Sequence, residues 1–311
     1  MNSNNYIEEK IRKISQSLLG LTPLPTIIAR IIGMIDDPRT TARDIGRLIS
    51  TDQVLTTKVL KLANSAYYGM PKKIGTVELA VVILGFDALK DVALSVSLLN
   101  RFSSITNDDN FDMSRFWEHS IACGIVSRML AKKYAPKFKG EAFVAGLLHD
   151  IGKLIIIEYL KEEFKEIIGV VHEKKLPFYQ AEKMVLNVNH AEIGSWLAEK
   201  SNLPVTLIES IAYHHNPAKA ETNSTLPTIV YFSNYLIKRF KYGFSGDITL
   251  KISEDLLAPL KLKRNKEGKI DLKYYSEKIA HEISTSETFI SIIQDNSEYS
   301  AAKKARLSYI H

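Results

Sequence analysis

The chain has 311 residues, 45% of them apolar and 24% charged, enough for a substantial core in one large domain or two modest ones. Its single cysteine, Cys123, excludes an internal disulfide, a cysteine zinc ribbon and a dithiol redox site, so any metal must be held by His, Asp and Glu. The net charge of +6 admits a polyanionic partner, but much of the excess sits in residues 261–269 and a KKAR run near the end. Such runs read as solvated loop and tail, so a nucleic-acid partner is not expected.

The opening MNSNNYIEEKIRKISQSLLG carries charge throughout and lacks the apolar stretch and small-residue cleavage site of a signal peptide. A short helix is expected over 1–19. The longest apolar runs, such as 79–84 and 154–157, fall far below the roughly 18–20 residues that a spanning helix needs, which predicts a cytoplasmic protein without a membrane partner.

Helical periodicity then dominates. Ile27, Ile28, Ile31, Ile32 and Ile35 make one apolar face over 24–35, and Asp36-Asp37-Pro38 breaks it. The spacing predicts further helices over 41–49 and 54–63, the latter capped by Thr51 or Asp52. Residues 64–75 read as a turn, and 77–84 and 88–99 as two apolar helices with Gly85 closing the first. The polar stretch 103–112 reads as an internal loop or seam.

Beyond it the predicted helices are 116–134, 141–148 running into an interruption at Gly152, 162–174, 177–186, 190–200 and 204–215. Asn216-Pro217 stops the last. Residues 228–240 read as an apolar helix, 241–273 as polar loop and 274–293 as amphipathic helix. No alternating strands, repeat or low-complexity tract is visible, so the fold class is all-α.

Five histidines and an aspartate stand out in order: His119, then His149-Asp150, then His190, then His214-His215. Imidazole nitrogens and carboxylate oxygens suit a divalent ion such as iron, zinc, manganese or nickel. Each candidate lies on or beside a predicted helix, the arrangement in which helical bundles build metal sites. His172, His281 and His311 belong to no such pattern. Cys123, one turn beyond His119 among Ile121, Ile125 and Val126, reads as a small buried apolar residue.

The run Leu147-Leu148-His149-Asp150-Ile151-Gly152-Lys153-Leu154 resembles the signature of the HD superfamily, helical metal-dependent phosphohydrolases, with His119 matching its upstream histidine. His190 and His214-His215 resemble the further ligands of the HD-GYP branch, which hydrolyses cyclic di-GMP. A second resemblance is more specific. Leu24-Pro25, Asp37-Pro38, Leu48-Ile49-Ser50-Thr51-Asp52 and Leu62-Ala63-Asn64-Ser65-Ala66-Tyr67-Tyr68-Gly69 are similar to the front half of the HD-related output domain, HDOD. This resemblance spans about residues 20–217. It implies a helical half over 20–102, an HD-like half over 112–217 and a C-terminal helical extension over 218–311.

HDOD modules are bacterial signalling units, generally regarded as lacking hydrolase activity, that work beside receiver and second-messenger domains. The resemblance therefore implies a non-catalytic relay through protein contacts, with a cleft for a metal or nucleotide. The alternative it leaves open is a phosphohydrolase acting on a nucleotide or cyclic dinucleotide, with Asp150 and Lys153 in the catalytic machinery. Three departures favour the relay. Asn234 stands where HD hydrolases carry a late aspartate, Arg115 where HD-GYP proteins carry a glutamate, and the GYP triplet is missing. Glu118 adjoins His119 but points elsewhere on a helix.

Overall fold

The computed structural model describes residues 26–294, apart from 36, 66–69, 71, 106–110 and 249. The expected helix over 1–19, the Leu24-Pro25 pair and the Ala66–Gly69 end of the tyrosine motif lie outside these residues. Among the described residues the secondary structure is helical throughout, without a strand; an isolated antiparallel bridge pairs Arg264 with Ile270. None of the described helices is long and apolar enough to cross a membrane.

The contacts divide the chain into two compact units, one over 24–103 and 280–311, the other over 1–23 and 104–279. The first is built from α1 (Thr26–Ile35), α2 (Ala42–Ile49), α3 (Gln53–Ala63), α4 (Val77–Arg101) and, from the far end of the chain, α14 (Glu287–Gln294). Sequence dictates the starts of these helices. Thr41 and Asp44 form a reciprocal capping box, and the Asp52 carboxylate accepts from the Leu55 amide at 2.9 Å. Gly85 (φ 76°, ψ 163°) kinks α4 where the sequence pattern suggests two helices.

Ile45, Ile49, Leu55, Val59, Leu62, Ala80, Val81, Val92 and Ile292 pack into one apolar core. Each such Leu or Ile contributes about 1.5–3 kcal/mol by leaving water. Asn64, which opens the tyrosine motif, has a structural job. Its amide group accepts from Ile74 N at 2.7 Å and donates to Ile74 O and Leu60 O, stapling the end of α3 to the approach to α4.

The second unit contains α5 (Met113–Tyr134), α6 (Lys139–Leu148), α7 (Ile151–Tyr159), α8 (Lys161–Lys174), α9 (Phe178–Leu186), α10 (His190–Lys200), α11 (Val205–Tyr213) and α12 (Thr225–Arg239). It closes with the first part of α13 (Leu272–Thr285), which buries Tyr275 and Ile279. Gly152 does not interrupt a helix as its residue type suggests. It sits in the first turn of α7, where a Cβ would come within 2.0 Å of the His190 carbonyl oxygen. Glycine lets α7 and α10 cross backbone to backbone.

Candidate metal centre

Each of the six candidate residues is set by a helix end or a close crossing. Asp112 caps α5, accepting from Arg115 N at 3.2 Å, and His119 follows two turns in. His149 and Asp150 form the two-residue joint between α6 and α7. Asp150 occupies the N-cap position of α7, yet its carboxylate makes no capping bond. An aspartate there normally satisfies an orphan amide of the first turn. Here it turns into the site instead. His190 opens α10 behind Asn189, which shares a capping box with Glu192. His214 and His215 follow the last turn of α11.

The structure brings all six together around Asp150. Asp150 Oδ2 lies 3.3 Å from His149 Nε2 and 3.8 Å from His119 Nε2. Its other oxygen, Oδ1, lies 3.0 Å from His190 Nε2 and 3.8 Å from His214 Nε2. His215 Nε2 approaches His190 Nε2 at 2.9 Å, and its ring stacks on Tyr179 with centroids 4.3 Å apart. His119, His149, Asp150, His190 and His214 are each at most 1% exposed, and His215 is half-buried.

Outer partners orient the rings. His149 Nδ1 donates to Gly146 O at 2.7 Å and His214 Nδ1 to Ile211 O at 2.8 Å. The Glu182 carboxylate takes both the His190 amide, at 2.9 Å, and its Nδ1, at 2.6 Å. With Nδ1 donating to an oxygen, each of these rings turns Nε2 toward Asp150 and the other rings, where it offers a lone pair whenever the ring is neutral. His149 Nε2, both nitrogens of His119 and Asp150 Oδ1 are buried without a directed hydrogen bond, as is Asn234 Oδ1. Lone pairs and a carboxylate converge with few protons to share, which is the environment a cation satisfies.

The electrostatics follow the same crowding. Burial disfavours the charged form of each imidazole, and for His149 the neighbouring Asp150 overrides it and lifts the group to about 10. Burial alone would raise the Asp150 carboxyl, but His149 and Lys153 hold it well below the usual range. His190 is raised against burial by Glu182. Burial, reinforced by His149, lowers His119 to about 3, and burial with the neighbouring rings lowers His214 and His215.

Two sets of ligand atoms lie close enough to share an ion, His190-His214-His215 and His119-His149-Asp150, so the centre is compatible with a metal. The remaining sequence candidates behave differently. Lys153 is neither exposed nor free, since its ammonium contacts Asp150 Oδ2 at 2.8 Å. Arg115 is exposed, its guanidinium lying over the Phe244 ring, and brings no charge into the centre. Cys123 is buried against His149.

Sequence reasoning missed Glu182 and Ser245. Glu182 sits on an ordinary amphipathic helix, eight residues before the histidine it holds. Ser245 acts through its backbone carbonyl, 3.0 Å from Lys153 Nζ, which no residue type advertises.

Known proteins bear on the family and the fold. The HDOD domain model matches residues 21–217. An uncharacterized protein of Treponema pallidum (strain Nichols) is 30% identical over 241 residues, 76% of this chain and 46% of that protein. The chain thus spans about half the length of the curated relative it matches. Among solved structures, an HDOD domain protein of Geobacter sulfurreducens is similar in fold, with a TM-score of 0.73 and 24% identity over 92% of this chain and 98% of that one. A Shewanella amazonensis SB2B protein, described as a candidate phosphohydrolase, gives a TM-score of 0.68 at 25% identity, covering 90% and 98%. A candidate signal transduction protein of Marinobacter aquaeolei VT8 gives 0.72 at 18%, covering 92% and 65%. The extended family match and the all-helical fold agree: this chain belongs to the HDOD family, a module of the HD superfamily.

Proposed function

We propose that this chain is a bacterial signal-relay module whose His119, His149, Asp150, His190, His214 and His215 form a buried centre for a divalent metal, and that it does not turn over phosphoesters. The observation that carries this reading is burial. Five of the six groups are at most 1% exposed, whereas a hydrolytic centre must admit a phosphoester and a water to its metal. A bound ion would supply the positive charge that the converging nitrogens and carboxylate call for, and so hold the α6–α7 joint, the start of α10 and the end of α11 together. Asp150 orients toward both histidine sets, Glu182 fixes the His190 ring, and Tyr179 backs His215. The signal then passes through protein contacts, to receiver or second-messenger domains, in the cytoplasm.

A second reading is a metal-dependent phosphohydrolase of a nucleotide or cyclic dinucleotide, using Asp150 and Lys153. The description of the Shewanella relative favours it. One assay separates the two. Product formation from cyclic di-GMP and simple nucleotides is followed with manganese, iron, zinc or nickel supplied, for the wild type and Asp150→Ala. The relay reading expects no turnover above the variant. Sustained turnover lost in Asp150→Ala would install the hydrolase. Metal analysis of the same preparations tests the centre itself, with retention expected in the wild type and loss in the variant.

A further inference from the structure

We propose that the Lys153 ammonium occupies the place of a second cation, so that the centre takes one metal ion per chain, on the Asp150 Oδ1 side. This rests on the metal reading above and sharpens it. A carboxylate between two ligand sets, with one oxygen facing each, is the usual bridge between two metals. Asp150 has that disposition: Oδ2 faces His119 and His149, and Oδ1 faces His190 and His214. Only one of the two oxygens carries a lysine. Lys153 Nζ lies 2.8 Å from Oδ2, the oxygen that the His119-His149 set would need.

The ammonium is held by a built cradle. Besides Asp150 it donates to Ser245 O at 3.0 Å and Ser245 Oγ at 3.3 Å, and it lies 4.9 Å from the Phe178 ring centroid. Its side chain is 3% exposed. Three oxygen acceptors match the three donors of an ammonium, and the ring face adds cation–π attraction.

The loop that supplies Ser245 is locked against α5. Phe244 N donates to Arg115 O at 2.8 Å. Gly243 adopts φ +68°, and a Cβ there would stand 2.2 Å from His119 N, so only glycine lets the loop come this close. The cradle therefore belongs to the fold rather than to a side chain swinging in from solvent.

A divalent ion on Oδ2 would sit beside this fixed positive charge in a water-poor interior, where repulsion is strong. Among the described residues no ammonium contacts the Oδ1 side. It offers His190, its ring anchored by Glu182, together with His214 and His215. Single-ion loading follows, with His119 and His149 left outside the coordination.

The test is metal stoichiometry. Apo protein is loaded with excess manganese(II), desalted, and measured by plasma mass spectrometry. About one ion per chain is expected for the wild type and about two for Lys153→Met, which keeps the side chain's bulk and removes its charge. His190→Ala should fall to none, and His119→Ala should stay at one. Two ions in the wild type, one in a folded Lys153→Met, or loss of metal in His119→Ala would overturn the inference while leaving the metal reading in place. No metal in the wild type would overturn the metal reading, and the inference with it. If Lys153→Met does not fold, electron paramagnetic resonance of the manganese-loaded wild type decides. An isolated six-line signal is expected, and an exchange-coupled pair signal would overturn the inference.

Discussion

The two units solve the problem of burial in opposite ways. The unit over 24–103 and 280–311 is centred on a hydrocarbon core, with Ile45, Ile49, Leu55, Val59 and Val92 at 0% exposure, although Lys58, Lys90 and Asp91 are buried beside it. The unit over 104–279 buries, at the same depth, four histidines and the Asp150 and Glu182 carboxylates, several of whose polar atoms lack a directed hydrogen bond. The first kind of core is graded, each side chain contributing by its area and little else. The second is interdependent, because removing one charge strands the others. A bundle can carry a centre of the second kind only if the surrounding backbone does not yield.

Substitutions test that contrast most severely where two backbones touch. Gly152→Val places a branched Cβ 2.0 Å from a main-chain carbonyl, a clash no rotamer relieves. It is expected to cost more than about 4 kcal/mol and to abolish metal retention, read by urea denaturation and metal analysis. Gly46→Ala in the other unit meets Glu78 Cγ at 2.9 Å and its Cα at 3.3 Å, a milder intrusion expected to cost no more than about 1–2 kcal/mol. Equal effects of the two would remove the distinction between the units.

Next in size is a matched pair. Asp150→Ala leaves Lys153 and the histidines without their shared counter-charge and should cost about 3–5 kcal/mol in apo protein, with metal binding lost. Leu55→Ala should cost a similar amount, about 2–5 kcal/mol, with metal content unchanged. The contrast sharpens if chelator lowers the melting temperature of Leu55→Ala but leaves that of Asp150→Ala unmoved.

Lys58→Met probes a place where the apolar unit does use a buried charge. Lys58 Nζ donates to Ile292 O and Ile293 O at 2.9 and 2.8 Å, capping the end of α14. Losing that cap should cost about 1–3 kcal/mol, seen as faster amide exchange confined to 287–294. Smallest is Arg115→Ala, which removes an exposed side chain that covers Phe244 and reaches the Gly243 carbonyl at 3.4 Å. It should change stability by no more than about 0.5 kcal/mol and metal content not at all. A large effect would mean that the arginine faces the centre after all.

The helices and the six converging residues were legible because both write themselves into residue type. Apolar spacing marks a buried face, and the order His, His-Asp, His, His-His survives at any distance along the chain. What stayed hidden acts through backbone or against type. Gly152 reads as a breaker but serves a crossing. The residue type of Lys153 does not announce its burial, which depends on a carbonyl offered by Ser245, 92 residues away. Glu182 looks like any acidic residue on an amphipathic helix until His190 is beside it. Asp150 has the chemistry of a cap and the position of one, and only the absent capping bond betrays its other use.

The Lys58 contact to α14 joins residues 234 and 235 positions apart in the chain. On a ribosome adding roughly 5–20 residues per second, about 10–50 s separate the synthesis of the lysine from that of its acceptors. For most of that interval α1 to α4 have already been synthesised while their core lacks Ile292. The unit that contains α1 to α4 is thus completed last, after the whole histidine-bearing segment has been made. A nascent chain stalled before residue 287 should carry a protease-resistant middle and a labile front, the reverse of the order in which they were translated.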